Sequence, residues 1–221
     1  MIGAALLQVI AQEANRSRYL PAYRSLTSLS EYDRTTTTLN KPAGVVAGDK
    51  MVAAISISQA PGYDPVVTPP SGWTLLVKTS HTDGNWISHT HWYWKDAGGS
   101  EPASYSWTHE NGLGSALVFA VSSTPPGAPA FTSQNGTGTT ATALSLTTTR
   151  ANQLIVFASD AWIAPGGALS PPTGSTPSFT ERLDATGEFI YLASGVLAAA
   201  GATGNKSHAT SNSTGEPWSA L

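Results

Sequence analysis

"VTPPSGWTLLVKTS", residues 67–80, is the stretch of this chain from which its fold can be deduced. Pro69 and Pro70 fix φ at about −65° and lack backbone donors, so a strand ladder cannot run through them. Gly72 then permits a turn, and an alternating run begins at Trp73. The phrase therefore predicts a corner that leads into a strand, with Trp73 as a structural anchor of the core.

A related phrase, "LSPPTGSTPSFTERLD", follows about a hundred residues later. Residues 48–52 are matched by residues 151–155 at an offset near 103, and Pro69 to Gly72 fall on Pro171 to Gly174. Further along, "DAGGSEPASYSWT" is matched by "AAAGATGNKSHATS", and Ser115-Ala116-Leu117 by Ser219-Ala220-Leu221. Matches in one order at one offset predict an internal duplication.

From about Leu26 onward, short strand-like runs alternate with turn residues, which is typical of a β-sandwich. Asp83-Gly84 and Asn111-Gly112 tolerate positive φ and predict tight hairpins. The predicted strands cover residues 35–39, 50–58, 74–80, 86–95, 104–108, 115–122, 143–148, 153–159, 178–183, 189–197 and 207–211, with a stub at Trp218.

These observations predict an all-β chain. We expect one jelly-roll-like antiparallel β-sandwich over residues 26–221 with an internal pseudo-twofold duplication. Its repeat halves would cover about 35–123 and 139–221, joined by a loop over 123–142, and each half would give strands to both sheets. Six strands in each half are too few for two independent cores of good size.

The beginning of the chain has a different pattern. Ile2, Leu6, Val9 and Ile10 have helical spacing, so residues 1–25 are predicted to form a short N-terminal helical arm for attachment or oligomerisation. An isolated helix of this length is marginal in water and needs a partner surface, either its own body or another chain. The second repeat stops at Leu221 where the first continues through "VFAVSST", which predicts an unpaired edge strand for this arm or a neighbouring subunit to cover.

Composition narrows the class of protein. Charged residues make up 11% of the chain, against about 25% in average globular domains. The formal charge is −3 and the eleven Lys and Arg residues are scattered, which argues against a nucleic-acid partner. The chain has no cysteine, so a disulfide framework and Cys-ligated metals are excluded.

One strand, "NWISHTHWYWKD", carries most of the candidate chemistry. Its alternation places Trp92 and Trp94 on a face that we expect to be core, and His89 and His91 together on the opposite face. Two imidazoles at this spacing can share a metal, but a third ligand is not evident. No cofactor is therefore predicted, and this histidine pair is only a weak metal candidate.

Aromatic residues expected in or near loops are candidates for carbohydrate binding. Aromatic rings pack on the apolar faces of sugars, and neighbouring polar groups read the hydroxyls. The fourteen acidic residues show no pairing typical of catalysis, and G-x-S-x-G and H-E-x-x-H motifs are absent. We therefore expect no enzyme and no catalytic residues, and name as candidate ligand-binding residues Trp86, Tyr105, Trp107, Trp162 and Tyr63.

The phrases "KPAGVVAGDKMVAAISIS", "TPPSGWTLL", "WYWKDAGGSEPASYSWT" and "GSALVFAVS" occur in this order. Together they resemble a β-sandwich domain of bacteriophage minor structural and tail (fibre-like) proteins, also found in bacterial surface proteins. The resemblance covers residues 35–221. It implies a non-enzymatic virion structural protein, most simply a tail-fibre or tail-tip adhesin on the virion surface.

The same resemblance implies partners. These would be other virion proteins through the N-terminal arm, further copies of the chain as a homo-oligomer (a trimer is favoured) and a host-surface glycan. Nucleic acid and membrane insertion are not expected. A capsid or neck decoration (head-fibre) protein and a polysaccharide-degrading enzyme remain the alternatives.

Overall fold

The computed structural model describes residues 20–82, 86–122, 127–137, 139–161, 176–184, 190–209 and 217–220. The elements in these ranges are strands, which confirms the all-β prediction. Residues 1–19 of the predicted helical arm lie outside the described residues. The predicted boundary of this arm at residue 25 is wrong, because β1 already begins at Ala22. No helix in the described part of the chain is long and apolar enough to cross a bilayer.

The strands alternate with short connections along the chain. In order they are β1 (Ala22–Asn40), β2 (Lys50–Gln59), β3 (Val67–Thr68), β4 (Thr74–Thr82), β5 (Ile87–Asp96), β6 (Ser104–Ser122), β7 (Gln134–Thr137), β8 (Thr140–Ala143), β9 (Thr147–Thr148), β10 (Gln153–Ala161), β11 (Thr180–Leu183), β12 (Ile190–Leu197), β13 (Gly201–Ala202), β14 (Lys206–Ala209) and β15 (Pro217–Ala220).

The first sheet comes entirely from the first half of the chain. Its antiparallel order is β1-β6-β2-β5-β4, and β3 pairs with β6. β1 and β6 are long strands whose mutual register shifts between Glu31 and Thr36. Beyond that irregularity their outer portions bring Leu39 and Trp107 into the same core cluster as Met51 of β2. The sheet therefore curls over one of its own faces.

The second sheet repeats this arrangement with the second half of the chain. Its order β7-β15-β10-β12-β11 corresponds strand for strand to β1-β6-β2-β5-β4. The long β1–β6 pair is replaced by two separate pairs, β7 with β15 and β8 with β14. The two sheets thus share one strand order, but the expectation that each half gives strands to both sheets is wrong. β15 also lies between β10 and β7, so the predicted unpaired last strand is wrong as well.

Strand register fixes which residues correspond between the halves. Ile55 pairs with His91 on β5, as Ser159 pairs with Tyr191 on β12. The residues with positive φ before β2 and β10 are Gly48 and Asn152, which gives an offset of 104, since 152 − 48 = 104. The sequence match at 103 is therefore one residue out of register, and such a slip exchanges the two faces of a strand.

Among the described residues, the core divides into three clusters. One fills the curl of the first sheet and contains Trp73 and Tyr93, and a second, around Phe157 and Tyr191, lies on the far face of the second sheet. The third, the inter-sheet cluster, joins residues of both sheets: Val52, Ala54, Trp92, Leu117, Phe119, Val121, Ala158, Ile190 and Leu192. The two sheets therefore pack face to face.

A buried polar contact lies between the same two sheets. Asp160 of β10 is fully buried and accepts a hydrogen bond from the Ser56 hydroxyl at 2.8 Å, and a second one from the Thr90 hydroxyl. Both donors belong to the first sheet. Buried polar groups need partners, so this contact favours one relative placement of the two sheets.

The predicted corner is confirmed in the first half. Gly72 has φ +85°, and the Trp73 amide donates to the Pro70 carbonyl at 3.3 Å. The Trp73 side chain is 6% exposed and packs edge-on against Tyr105 and Trp107, at centroid distances of 5.2 and 5.3 Å. Trp73 is therefore a core anchor. The matching corner at residues 171–174 lies outside the described residues.

Two turn predictions differ from the structure. Asn111-Gly112 forms no hairpin, because β6 runs through it and Gly112 pairs with Arg34. A Cβ on Gly114 would lie 2.1 Å from the Ser56 carbonyl oxygen, so the glycine permits close strand approach rather than a turn. The predicted loop over residues 123–142 contains β7 and the start of β8. Asp83-Gly84 lies outside the described residues, although β4 and β5 on either side of it pair as predicted.

Candidate functional site

Two of the predicted ligand-binding aromatics are exposed at one end of the first sheet. Tyr63, in the loop after β2, is 58% exposed, and Trp86, immediately before β5, is 43% exposed. The terminal pair of the β2–β5 ladder is Gln59 with Ile87, so the chain leaves β2 where it enters β5. This region, the Tyr63–Trp86 end, consists of the loop over residues 60–66 and the start of β5.

Side chains of β4 and β5 hold the loop over residues 60–66 in place. Gly62 has φ +95°, and the Tyr63 amide donates to the Ala60 carbonyl at 3.4 Å. The Tyr63 carbonyl lies 3.0 Å from Nε2 of His89, and Asp64 forms an ion pair with Lys78 of β4. The exposed Tyr63 ring therefore stands on a braced backbone.

The histidines under this loop are uncharged at neutral pH. Burial lowers the pKa of His91 from 6.5 to about 4, and the positive charge of Lys78 acts in the same direction. Burial also lowers the pKa of His89, although its hydrogen bond to Tyr63 opposes the shift. A neutral His89 with its proton on Nε2 donates to the Tyr63 carbonyl, so its role here is structural.

Within the described ranges, the weak metal candidates His89 and His91 are not joined by a third ligand. Among the described residues, no group of three or more histidine, aspartate or glutamate side chains is placed to hold a metal ion. His109 contacts the Thr37 hydroxyl and the Glu110 carbonyl, both at 2.8 Å. Both faces of β5 are buried, so these histidines lie within the protein rather than on an open face.

The remaining predicted aromatics do not join this site. Tyr105 and Trp107 are 3% and 0% exposed and lie on β6, not in loops. Alternation along the strand points both of them at Trp73, so neither ring has a face open to a sugar. Trp162 lies outside the described residues. Tyr105 and Trp107 are therefore buried core residues, not the exposed aromatics that the carbohydrate prediction requires.

Sequence reasoning missed two residues of this site, Asp64 and Lys78. The Asp64 side chain is 79% exposed, and the Lys78 side chain is 27% exposed. The stretch "APGYDPV", where Pro61, Gly62 and Pro65 surround a Tyr-Asp pair, is the signal that could have found the loop. The site thus offers two aromatic faces and a carboxylate beside an ammonium group.

Comparisons with protein-family models, with curated proteins and with solved structures found no match to this chain.

Proposed function

We propose that this chain is a non-enzymatic attachment module of a phage virion, of the tail-fibre or tail-tip kind, and that the Tyr63–Trp86 end binds a host-surface glycan. The observation that carries the binding proposal is the pair of exposed aromatic rings at one end of a sheet, one of them on a braced loop. A rigid aromatic platform loses little conformational entropy when it binds a ligand.

The chemistry of the site suits a sugar. The faces of Tyr63 and Trp86 can pack on the C–H face of a sugar ring, and such side chains combine a large apolar area with a polar tip. The Asp64 carboxylate accepts hydrogen bonds from sugar hydroxyls, and Lys78 beside it donates. The glycan expected here is a polysaccharide or oligosaccharide with an exposed apolar ring face.

The architecture agrees with this proposal. We infer a jelly-roll-like sandwich with a pseudo-twofold duplication, supported by the equal strand order of the two sheets and by their shared cluster. The virion setting rests on the sequence phrases that resemble phage tail proteins. A polar surface with few charges also suits a module that binds neutral glycans.

A glycan array with matched variants tests the binding proposal. We expect the full chain to bind a subset of glycans, with at least about tenfold loss in Tyr63→Ala and in Trp86→Ala. Val66→Ala is the matched control, because Val66 belongs to the same loop and is 68% exposed but has no aromatic ring. Absence of any array binding by the native chain, or equal binding by all three variants, would overturn the proposal.

Immunogold labelling of phage particles tests the location separately. Antibodies against the chain should label the tail and block adsorption to the host. Label over the capsid with adsorption intact would instead favour the decoration protein.

A further inference from the structure

Part of β10 in the second sheet lacks the neighbouring strand that β2, its equivalent in the first sheet, has. In the first sheet, residues 50–55 of β2 pair with residues 116–121 of β6. In the second sheet, β15 pairs only with Ser159, Asp160 and Ala161 of β10. Among the described residues, nothing pairs with residues 153–158 on that side, although β12 pairs with them on the other. Such an unpaired stretch is a template for a further strand.

A cavity of about 450 Å³ runs along this unpaired stretch. Residues 153–158 form one wall, residues 128–132 form another, and Trp92 and Phe119 of the first sheet contribute to it. Residues 128–132 precede β7, which flanks β15 as β1 flanks β6. The cavity therefore occupies the position where a continuation of β15 would run between its two neighbours.

The sequence contains a stretch similar to the strand that fills this position in the first sheet. Residues 114–122 read "GSALVFAVS", and residues 3–11 read "GAALLQVIA". The two stretches have identical residues at Gly3, Ala5 and Leu6. They differ in chemical kind where Gln8 replaces Phe119 and where alanines replace Ser115 and Ser122. A nearly continuous apolar run of this length fits a strand that is buried on both faces as well as a helix.

The N-terminal segment can reach the cavity within one molecule. Pro21, directly after the first described residue, lines the same cavity as residues 153–158. Residues 12–20 can span up to about 30 Å at ~3.3 Å per residue. Neighbouring strands lie only about 4.8 Å apart, so this connection is long enough for the N-terminal segment to enter the cavity from either end.

We propose that residues 6–11 of the same chain insert beside residues 153–158 of β10 as an antiparallel strand and complete the second sheet. The first-sheet register, transferred to this position, sets Leu6 opposite Ala158 and Ile10 opposite Leu154. Leu6 and Ile10 then point into the inter-sheet cluster, and Leu7 and Val9 point towards Phe157. The segment acts as an inserted strand rather than as a helical arm, and it binds its own body rather than a neighbouring chain.

Engineered disulfides test this register, because the natural chain has no cysteine to compete. The pairs Leu6→Cys with Ala158→Cys, and Ile10→Cys with Leu154→Cys, should oxidise within the monomer, as seen on non-reducing gels and by peptide mapping. The control pair is Leu6→Cys with Leu75→Cys, whose second site on β4 is half exposed. Cross-linked dimers, or monomer oxidation no faster than in the control pair, would overturn the proposal.

Hydrogen exchange on the full chain tests the conformation independently of disulfide geometry. Proline removes an amide donor and disrupts a strand interior. Val9→Pro should therefore raise the hydrogen-exchange rate of those amides of residues 153–158 that face the cavity by at least about tenfold. Ala14→Pro, outside the proposed strand, should leave this exchange unchanged. Equal effects of the two substitutions, or no effect of Val9→Pro, would show that residues 6–11 do not protect β10.

Discussion

Replacing Trp73 by alanine tests the corner from which the fold was deduced. The indole is 6% exposed and contacts Tyr105 and Trp107 edge-on in the curl of the first sheet. Truncating a buried Trp to Ala typically costs about 3–5 kcal/mol. For a chain of this size about 1 kcal/mol lowers the melting temperature by about 2–4 °C, so Trp73→Ala should lower it by about 6–20 °C.

Trp73→Phe separates packing from hydrogen bonding at this position. The indole Nε1 is buried and has no hydrogen-bond partner among the described residues, so phenylalanine sacrifices no hydrogen bond. It keeps an aromatic edge for its two neighbours, and each such pair contributes about 0.5–1.5 kcal/mol. We therefore expect Trp73→Phe to retain more than half of the stability that Trp73→Ala loses.

Urea denaturation followed by circular dichroism measures these changes, and Trp86→Ala supplies the reference for an exposed tryptophan. Trp86→Ala should change the free energy of unfolding by less than about 1 kcal/mol. If Trp73→Ala costs no more than Trp86→Ala, Trp73 is not the anchor of the first-sheet core. If Trp73→Phe costs as much as Trp73→Ala, the aromatic edge contacts do not account for the stability.

Two further predictions concern strand approach and pH. Gly114→Ala should lower the free energy of unfolding by at least about 2 kcal/mol in thermal unfolding, because the new Cβ would lie 2.1 Å from the Ser56 carbonyl oxygen. The control variant Gly99→Ala, whose Cβ would have nothing within 4 Å, should stay within about 1 kcal/mol of wild type. Equal melting temperatures of the two variants would contradict this reasoning. Burial lowers the pKa of His91 to about 4 from 6.5, so the unfolded chain binds a proton between these values that the folded chain does not. The free energy of unfolding should therefore rise as the pH increases from about 4 to 6.5 and should stay level above pH 6.5, as measured by urea midpoints. The variant His91→Gln should show a smaller rise. An unchanged slope in this variant would exclude His91 as the source of the pH dependence.

Much of the fold could be predicted because it depends on local chemistry. Proline pairs, glycine turns and alternating runs locate β2, β4, β5, β10 and β12 to within one or two residues. The bend in β1 and β6 could not be read in this way, because Gly112 and Gly114 have the same sequence signature whether they form a turn or let strands approach closely. Which half supplies each sheet depends on long-range pairing, which leaves no local pattern.

The candidate site was predicted only in part for a related reason. An aromatic residue beside turn residues has the same sequence context whether its ring is exposed or buried. Tyr63 lies outside the ladder, and its ring is free because the backbone bond to His89 fixes the loop without using the side chain. Tyr105 lies within the ladder, and alternation directs it into the core. An exposed tyrosine such as Tyr63 and a buried one such as Tyr105 can be distinguished only when the ends of the strands are known.

The two halves have different residues at equivalent positions near the candidate site. His91, which lies under the loop that holds Tyr63, corresponds to Tyr191, and Trp107 corresponds to His208. In the second half His208 packs at 4.6 Å against Tyr191 and contacts the Ser159 hydroxyl at 2.8 Å, so its polar groups are used within the core. The first half instead packs Tyr105 and Trp107 around Trp73 and places His89 and His91 under the exposed loop. The two sheets therefore share one strand order, and among the described residues the differences at equivalent core positions give the first sheet a histidine-braced aromatic loop.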